Sequence, residues 1–515
     1  MKKLISMFLC LSMLLSVAAI AEAPTHTFTV WGILQPNTTH DTLEDNLSFQ
    51  ALEKITGVNL EWECITNEGI EEKRPLRLAQ GADNLPDLFI RAALTDDEVI
   101  SLAGAGQLVD LAPLLEEYAP NFCALMERDP TIRVSITDDE GHIWSLPQIC
   151  TFVETAHMII NKKWLDNLDL AVPTTVEEFY NCLVAFKEKD ANGNGDPNDE
   201  IPLSVRGVKY LNYVMESFGV YPRNPYGMFV YPGTSEVQNS YIADNMKEAL
   251  IFCKKLYDEG LLDHESFVQD KPTYAAKGHA NRMGCMLVSG AFVEVGNELH
   301  WDYIGLPVFP DANGNAYSNA RSSADGHTFV ITKNCEDPIA ALKMVDYLYS
   351  EEGTIMTWMG VEGETWQWIN EEKTRWDWII KDDRTVTQLR SSETIQGGVQ
   401  YPAAHPVWFE SDMWAKQANE IEASLDTDLF RMPLTDCCTM LWPDVTWTVE
   451  ENEEMSFFLP DCENYYKASV ADFVTGVRNI ETEWEDYVKT MKSMNIEEGI
   501  KMYQEAYDKY MAKMN

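Results

Sequence analysis

The sequence predicts an α/β protein of two domains, on three observations. Short β-branched or aromatic runs alternate with stretches of helical spacing along the chain, 45% of the 515 residues are apolar with no long low-complexity run, and the length suits two cores of ordinary size.

The first segment reads as an export signal. Lys2 and Lys3 precede an apolar stretch from Leu4 to Ile20 and then small residues. Ala19-Ile20-Ala21 predicts cleavage after Ala21, because cleavage after Ala23 would leave Pro24 at the new terminus. Cys10 follows Met7, Phe8 and Leu9 instead of the small residues of a lipidation box, so a lipid anchor is not supported. The expected location is extracellular, at the cell surface or periplasmic. No later run approaches the roughly 18 apolar residues that a membrane span needs.

Residues 27–33 (TFTVWGI) read as a strand, 45–56 (DNLSFQALEKIT) as a helix stopped by Gly57, and 58–64 (VNLEWEC) as a second strand. A helix over 70–80 leads through Gly81 to PDLFI at 86–90, a short buried strand. The pattern predicts a mainly parallel sheet flanked by helices, in which ligands sit beyond the carboxyl ends of the strands. Those ends are Gln35 to Asn37 and Arg91.

From 174, TTVEEFYNCLVAFKEKD sets Val176, Phe179, Leu183 and Phe186 at helical spacing, with Thr175 and Glu178 placed as a capping box. This helix runs into DANGNGDPNDEIP at 190–202, which sets six candidate oxygen ligands, and Asn198 besides, on one short Gly-containing loop. Asp190, Asn192 and Asn194 alternate as ligands of a calcium loop do, Gly195 permits the sharp turn, and Asp196, Asp199 and Glu200 close the shell. An EF-hand would need Glu at the twelfth position, which is Ile201, so Asp199 and Glu200 must close the site and Asp196 supplies a backbone carbonyl. The alternative is a solvated Asn/Gly turn without metal. A structural cation would neutralise the crowded carboxylates and pin the helix end to the next stretch of chain. DANGNA at 311–316 has no turn Gly after its second Asn and no following carboxylates, and reads as a hairpin loop.

Further on, 243–258 reads as a helix, 284–289 (GCMLVS) and 327–332 (HTFVIT) as strands, and 337–349 as a helix. The end is helical, with Trp484, Tyr487, Val488, Met491, Ile500, Tyr503, Tyr507 and Tyr510 on repeated packing faces.

The formal charge of −44 becomes −46 when Lys2 and Lys3 leave with the signal. Such a field repels polyanions, which excludes nucleic acid as a partner and favours neutral ligands over acidic ones. Ten cysteines remain after Cys10 is lost, without CxxC pairs, so no zinc signature is present. Cys182, Cys253 and Cys285 lie in apolar runs and read as buried free thiols. HExxH, GxSxG and Walker motifs are absent, which removes the usual support for a zinc protease, a serine hydrolase or a nucleotide hydrolase.

Nine segments carry a resemblance: LAQGADNLPDLFI (78–90), GQLVDLAPLLEEYAPN (106–121), DDEGHIWSLPQ (138–148), INKKWLDNLDLAVPTTVEEFY (160–180), the DANGNGDPNDEIP loop, LYDEGLLD (256–263), ALKMVDYLYSEEG (341–353), GVEGETW (360–366) and YQEAYDKY (503–510). In this order they resemble the family 1 extracellular solute-binding proteins, carbohydrate receptors of ABC importers, and in particular the long calcium-containing members related to alginate-oligosaccharide binders. The resemblance implies a two-lobe periplasmic-binding-protein-like fold of type II with a hinge. Lobe one is expected from 22–150 and 325–395, and lobe two from 151–324 and 396–515. It implies an oligosaccharide ligand held by lobe closure, an ABC importer permease as partner, a monomer and no catalysis. By similarity Asp190, Asn192, Asn194, Asp199 and Glu200 match the family's calcium ligands, with Asp196 in the carbonyl position. The sequence departs from the family at Asp169, where Gly is usual, and in lacking the lipidation Cys.

A sugar cleft needs flat aromatic platforms beside planar polar groups. Position after strands or within the matched loops selects Trp31, Gln35, Arg91, Phe152, Phe292, Arg321, Trp366 and Trp408. Arg321 and Trp366 stand out, the first in a Ser/Asn/Gly loop and the second after the GVEGE turn. For each the alternative is a core aromatic or a surface ion pair. Two other classes stay open from the residues alone: a secreted glycan-active enzyme using two carboxylates, and a calcium-dependent carbohydrate-binding adhesin.

Overall fold

The computed structural model describes residues 26–35, 37–66, 69–150, 157–288, 290–319, 324–395, 408–409, 416 and 437–514. The opening unit forms because Gly57 turns left-handed: at φ +73° its N–H bonds the Glu53 carbonyl and ends helix Leu47–Thr56. The chain then enters strand Val58–Thr66, which lies parallel to His26–Leu34 along its whole length. Leu88–Leu94 pairs parallel on the other side, at Val30 and Trp31. The Asp87 carboxylate anchors that register by accepting from the Thr29 N–H at 2.7 Å and the Thr29 hydroxyl at 2.8 Å.

Among the described residues this sheet has six strands, in the spatial order Trp408–Phe409, Leu146–Cys150, Ala324–Ile331, Leu88–Leu94, His26–Leu34, Val58–Thr66. The expected parallel character holds for its opening half. Ala324–Ile331 runs antiparallel to both neighbours, since it re-enters from the other lobe and no helical crossover ties its direction to theirs. The second sheet orders Tyr303–Leu306, His157–Asn161, Met283–Val288 and Ile201–Leu203, antiparallel at the first two junctions and parallel at the last.

Each sheet has its own core, so the molecule is built of two α/β lobes. Phe28, Val30, Leu52, Leu60, Phe329 and Leu342 pack on one side of the first sheet, with Trp31, Phe89 and Val330 on the other. Trp164, Phe179, Phe186, Leu250, Cys253, Tyr466 and Tyr487 pack around the second. The closing helices belong to this core, where Trp484, Met491 and Tyr503 are buried as the periodicity predicts. Helix contacts join the lobes. Helix Val449–Ser456 lies on Asp96–Gly104, and Ile496–Met514 lies on Pro130–Ile136, with Lys513 Nζ 2.9 Å and Lys509 Nζ 3.3 Å from the Asp139 carboxylate.

The helix that leads to the acidic loop spans Val176–Glu188 and is capped as expected at Thr175, whose hydroxyl accepts the Glu178 N–H. Its box is shifted by one residue, because the Glu178 carboxylate takes the N–H of Thr174 and not that of Thr175. This helix lies close on strand Met283–Val288. A Cβ on Gly284 would stand 2.5 Å from Phe186 Cδ2 and 2.9 Å from the Pro202 carbonyl oxygen. Gly284→Ala is therefore expected to cost about 1–3 kcal/mol by overpacking, read as a lower urea midpoint; an unchanged midpoint would show that the helix gives way freely.

The eight cysteines among the described residues whose state is defined are free thiols. Burial pushes the Cys253 thiol up to about 12. Among the described residues no helix is long and apolar enough to cross a membrane.

Candidate functional site

The acidic loop comes directly after helix Val176–Glu188 and folds on its own side chains. Glu200 Oε1 accepts the Ala191 N–H at 2.9 Å, Asn192 Oδ1 accepts that of Asn194 at 2.9 Å, and Asn194 Oδ1 accepts that of Asp196 at 2.7 Å. Asp190 Oδ2 accepts the Gly195 N–H at 2.9 Å, with Gly195 at φ +94°. The two Asp199 oxygens accept from the carboxamides of Asn192 and Asn194, each at 3.0 Å. Asp196 turns its carboxylate toward the Asn198 N–H at 3.1 Å.

Three oxygens in this neighbourhood are left over. Asp190 Oδ1, Glu200 Oε2 and Asn281 Oδ1 are buried without a hydrogen-bond partner among the described residues, and Asn281 adjoins the loop through its carbonyl, which accepts from Asn192. Burial, with Asp199 close by, raises the Glu200 carboxyl above its ordinary 4.5. Buried carboxylate oxygens without partners cost free energy unless a cation meets them. Carboxylate, amide and carbonyl oxygens on one loop are the donor set calcium takes, so these residues fit the ion. Among the described residues no three His, Cys, Asp or Glu side chains gather as a metal cluster. The fit rests on mixed oxygen donors. The similar DANGNA loop has no such excess: Asp311 Oδ1 accepts the N–H groups of Asn313 and Asn315, and the turn closes on itself.

At the carboxyl ends of the first sheet, loops 35–46 and 391–395 are laced together by buried polar groups. Asn46 caps helix Leu47–Thr56 with its oxygen, while its amide donates to the carbonyls of Ser392 at 2.7 Å and Thr394 at 3.1 Å. Ser48 Oγ donates to the Glu393 carbonyl at 2.6 Å. Arg91 lies beneath this lacing, fully buried, and Nη1 donates to the Ile395 carbonyl at 2.6 Å. Its Nε and Nη2 have no partner among the described residues. Desolvation pulls the guanidinium down to about 9, so it remains charged at neutral pH. Arg91 and Ala93 both adopt left-handed backbone, φ +56° and +52°, at the point where pairing with Ala324–Ile331 slips register. That is a strained bulge, a conformation that clusters at binding sites.

The other cleft candidates fall in different places. Gln35 is buried at the end of His26–Leu34 in the same region as Arg91. Trp31 is not presented as a platform: it is 2% exposed and set edge-on to Phe89 at 5.9 Å, because its strand position faces the sheet's second core. Trp366 is also a core residue, 3% exposed, packed with Trp376, Trp378 and Leu389 in a hairpin whose strands are Trp366–Trp368 and Trp376–Trp378. Phe292 is half-buried at the start of helix Phe292–His300; its N–H donates to His300 Nδ1 at 3.3 Å, and burial keeps that imidazole neutral, at about 4. Trp408 sits on the edge strand parallel to Leu146–Cys150. Phe152 and Arg321 lie outside the described residues, as does the expected signal at 1–21.

A turn that the residue pattern did not single out carries further unpartnered groups. In Tyr221–Gly227 (YPRNPYG), Tyr221 Oη and both carboxamide atoms of Asn224 are buried without partners among the described residues. The signal that could have marked it is the concentration of aromatics, Arg, Asn and Pro on a loop carried by a rigid scaffold.

Comparison with known proteins agrees with this architecture. Residues 42–355 match the family model for bacterial extracellular solute-binding proteins. The chain is 26% identical over 492 residues to the fructooligosaccharide ABC transporter substrate-binding protein FusA of Streptococcus pneumoniae serotype 4, covering 92% of this chain and 88% of that protein. A solved structure of a FusA EF-hand mutant in complex with fructo-nystose superposes with a TM-score of 0.71 at 23% identity, covering 94% of this chain and 99% of that one. The alginate-binding protein AlgQ2 without calcium ion superposes at 0.68 and 21% identity, covering 95% and 99%. With a family match over more than half its length and two α/β lobes that each carry their own sheet and core, the chain belongs to the bacterial extracellular solute-binding proteins.

Proposed function

We propose that this protein is the receptor of an ABC importer, capturing an oligosaccharide between its lobes and delivering it by closure to the permease. Closure results from binding when a ligand touches both lobes, since it then favours the closed arrangement by its differential contacts. The observation that carries the reading is Arg91, a buried guanidinium whose Nε and Nη2 have no partner among the described residues, at the carboxyl ends of the first sheet, where ligands of such sheets sit. Likeness to FusA along most of the chain supports a sugar as the ligand. Lobe one is taken as 22–150 and 325–395, and lobe two as 151–324 and 396–515. Gln35, Arg91, Phe152, Phe292, Arg321 and Trp408 remain candidate contacts, while Trp31 and Trp366 support the site from within the cores. The protein acts as a monomer after export, performs no catalysis, and is braced by calcium at Asp190, Asn192, Asn194, Asp196, Asp199 and Glu200.

A thermal-shift screen tests this, because a ligand bound by the native state alone raises the melting temperature. Kestose, nystose and other neutral oligosaccharides are expected to raise it more than uronates of equal length, given the charge of the chain. The bound sugars should return chemically intact, and small-angle scattering should show compaction. Preferential stabilisation by uronates would reject the neutral ligand. Cleaved sugar would reject the receptor in favour of an enzyme, and cross-linking without compaction would favour an adhesin.

A further inference from the structure

We propose that the turn Tyr221–Gly227 is the second lobe's sugar-reading surface, in which the Asn224 carboxamide takes two neighbouring hydroxyls of the ligand; this rests on the oligosaccharide reading above. The backbone of the turn is firmly held. The Tyr221 N–H donates to Ser240 Oγ at 2.8 Å, the Gly227 N–H to the Asn224 carbonyl at 2.9 Å, and Asn239 Nδ2 to the Tyr226 carbonyl at 2.9 Å. Within this rigid frame the Asn224 side chain, 3% exposed, leaves both its amide nitrogen and its oxygen unpartnered among the described residues, and Tyr221 leaves its hydroxyl so. Native proteins keep few such groups, and those they keep have a use.

Three features say what that use is. A carboxamide offers a donor and an acceptor side by side, which matches a vicinal diol: one hydroxyl donates to Oδ1 while its neighbour accepts from Nδ2. The adjacent Arg223 does not make the turn cationic, because its Nε is 2.6 Å from Glu216 Oε1, its guanidinium lies 3.6 Å over the Tyr213 ring and Ser318 bridges the pair. The pair is neutral together, so the turn suits uncharged hydroxyls. Tyr226 is held at φ +49°, strained for an aromatic residue, with its phenol within electrostatic reach of Asp97 on helix Asp96–Gly104 of the first lobe.

The test is calorimetric titration of the mature protein with kestose, nystose and Man5GlcNAc, comparing wild type with Asn224→Leu and Tyr221→Phe. For a sugar that binds wild type, affinity is expected to fall roughly thirtyfold with Asn224→Leu and about tenfold with Tyr221→Phe. The sugar-free melting temperatures should hold or rise, since each change removes polar atoms that have no partner among the described residues. A merely structural role predicts the opposite, lower melting temperatures with affinity unchanged in the folded fraction. Variants that bind as wild type does would overturn the proposal while leaving the receptor reading intact. A wild type that binds none of the three sugars would overturn the receptor's sugar specificity, and this inference with it.

Discussion

Chelation is expected to lower the melting temperature of the mature protein, and added calcium to restore it. Asp190 Oδ1 and Glu200 Oε2 are buried on one loop without partners among the described residues, so without a cation they are desolvated acceptors. An ion that binds the folded loop and not the unfolded chain contributes about 2.7 kcal/mol when present at a hundred times its dissociation constant. The loop closes the end of helix Val176–Glu188 against strand Ile201–Leu203, and Asn167 reaches it through the Ala191 carbonyl at 2.9 Å. The loss is therefore felt by the second lobe as a whole. Asp190→Asn with Glu200→Gln should abolish the response to both chelator and calcium. Sugar binding should survive in protein that remains folded, because the loop lies apart from Arg91 and from the turn carrying Asn224 in the sheet order. Differential scanning calorimetry at fixed free calcium decides it: an identical transition with and without chelator would sink the brace.

Replacing Arg91 by Met should separate binding from stability. Among the described residues the guanidinium bonds the Ile395 carbonyl and holds Nε and Nη2 unpartnered in a fully buried setting. A ligand hydroxyl or ring oxygen that meets a charged donor there contributes about 1.5–3 kcal/mol, so titration of Arg91→Met should show a dissociation constant raised roughly tenfold to a hundredfold. Stability should move little, because removing an uncompensated buried charge offsets the bond lost at Ile395. Arg91→Lys should not rescue, since a single ammonium cannot reproduce the planar fork. Unchanged affinity in Arg91→Met would remove the residue from the site.

Local features were legible because their causes are local. The helix stop at Gly57 needs a residue free to turn left-handed, and the Thr175 cap needs a hydroxyl before an apolar face; both sit within a few residues of the backbone they govern. The acidic loop was legible for the same reason, since the bonds among its own side chains and backbone span at most nine residues, while Asn167 and Asn281 join it from outside. Around Trp366 the pattern carried a different message. Trp366 and Trp368 alternate with Gln367, and Trp376 and Trp378 with Asp377, a period of two that marks a hairpin packing one face; Trp366 stands opposite Trp378 and Trp368 opposite Trp376. Read singly as a sugar platform, Trp366 was detached from the partners that bury it. The direction of Ala324–Ile331 was beyond reach because it depends on a return from the other lobe.

The sequence alone therefore determined the α/β elements, the family, and a loop whose oxygens suit calcium, since propensity, capping and metal-donor spacing act over short stretches of chain. Only the tertiary structure decided which polar atoms are left without partners. Arg91 meets Ile395 across 304 residues, and Tyr221 packs in a cluster with Leu441. Whether a buried donor is satisfied depends on everything packed around it, and that is set when the whole chain has closed on itself.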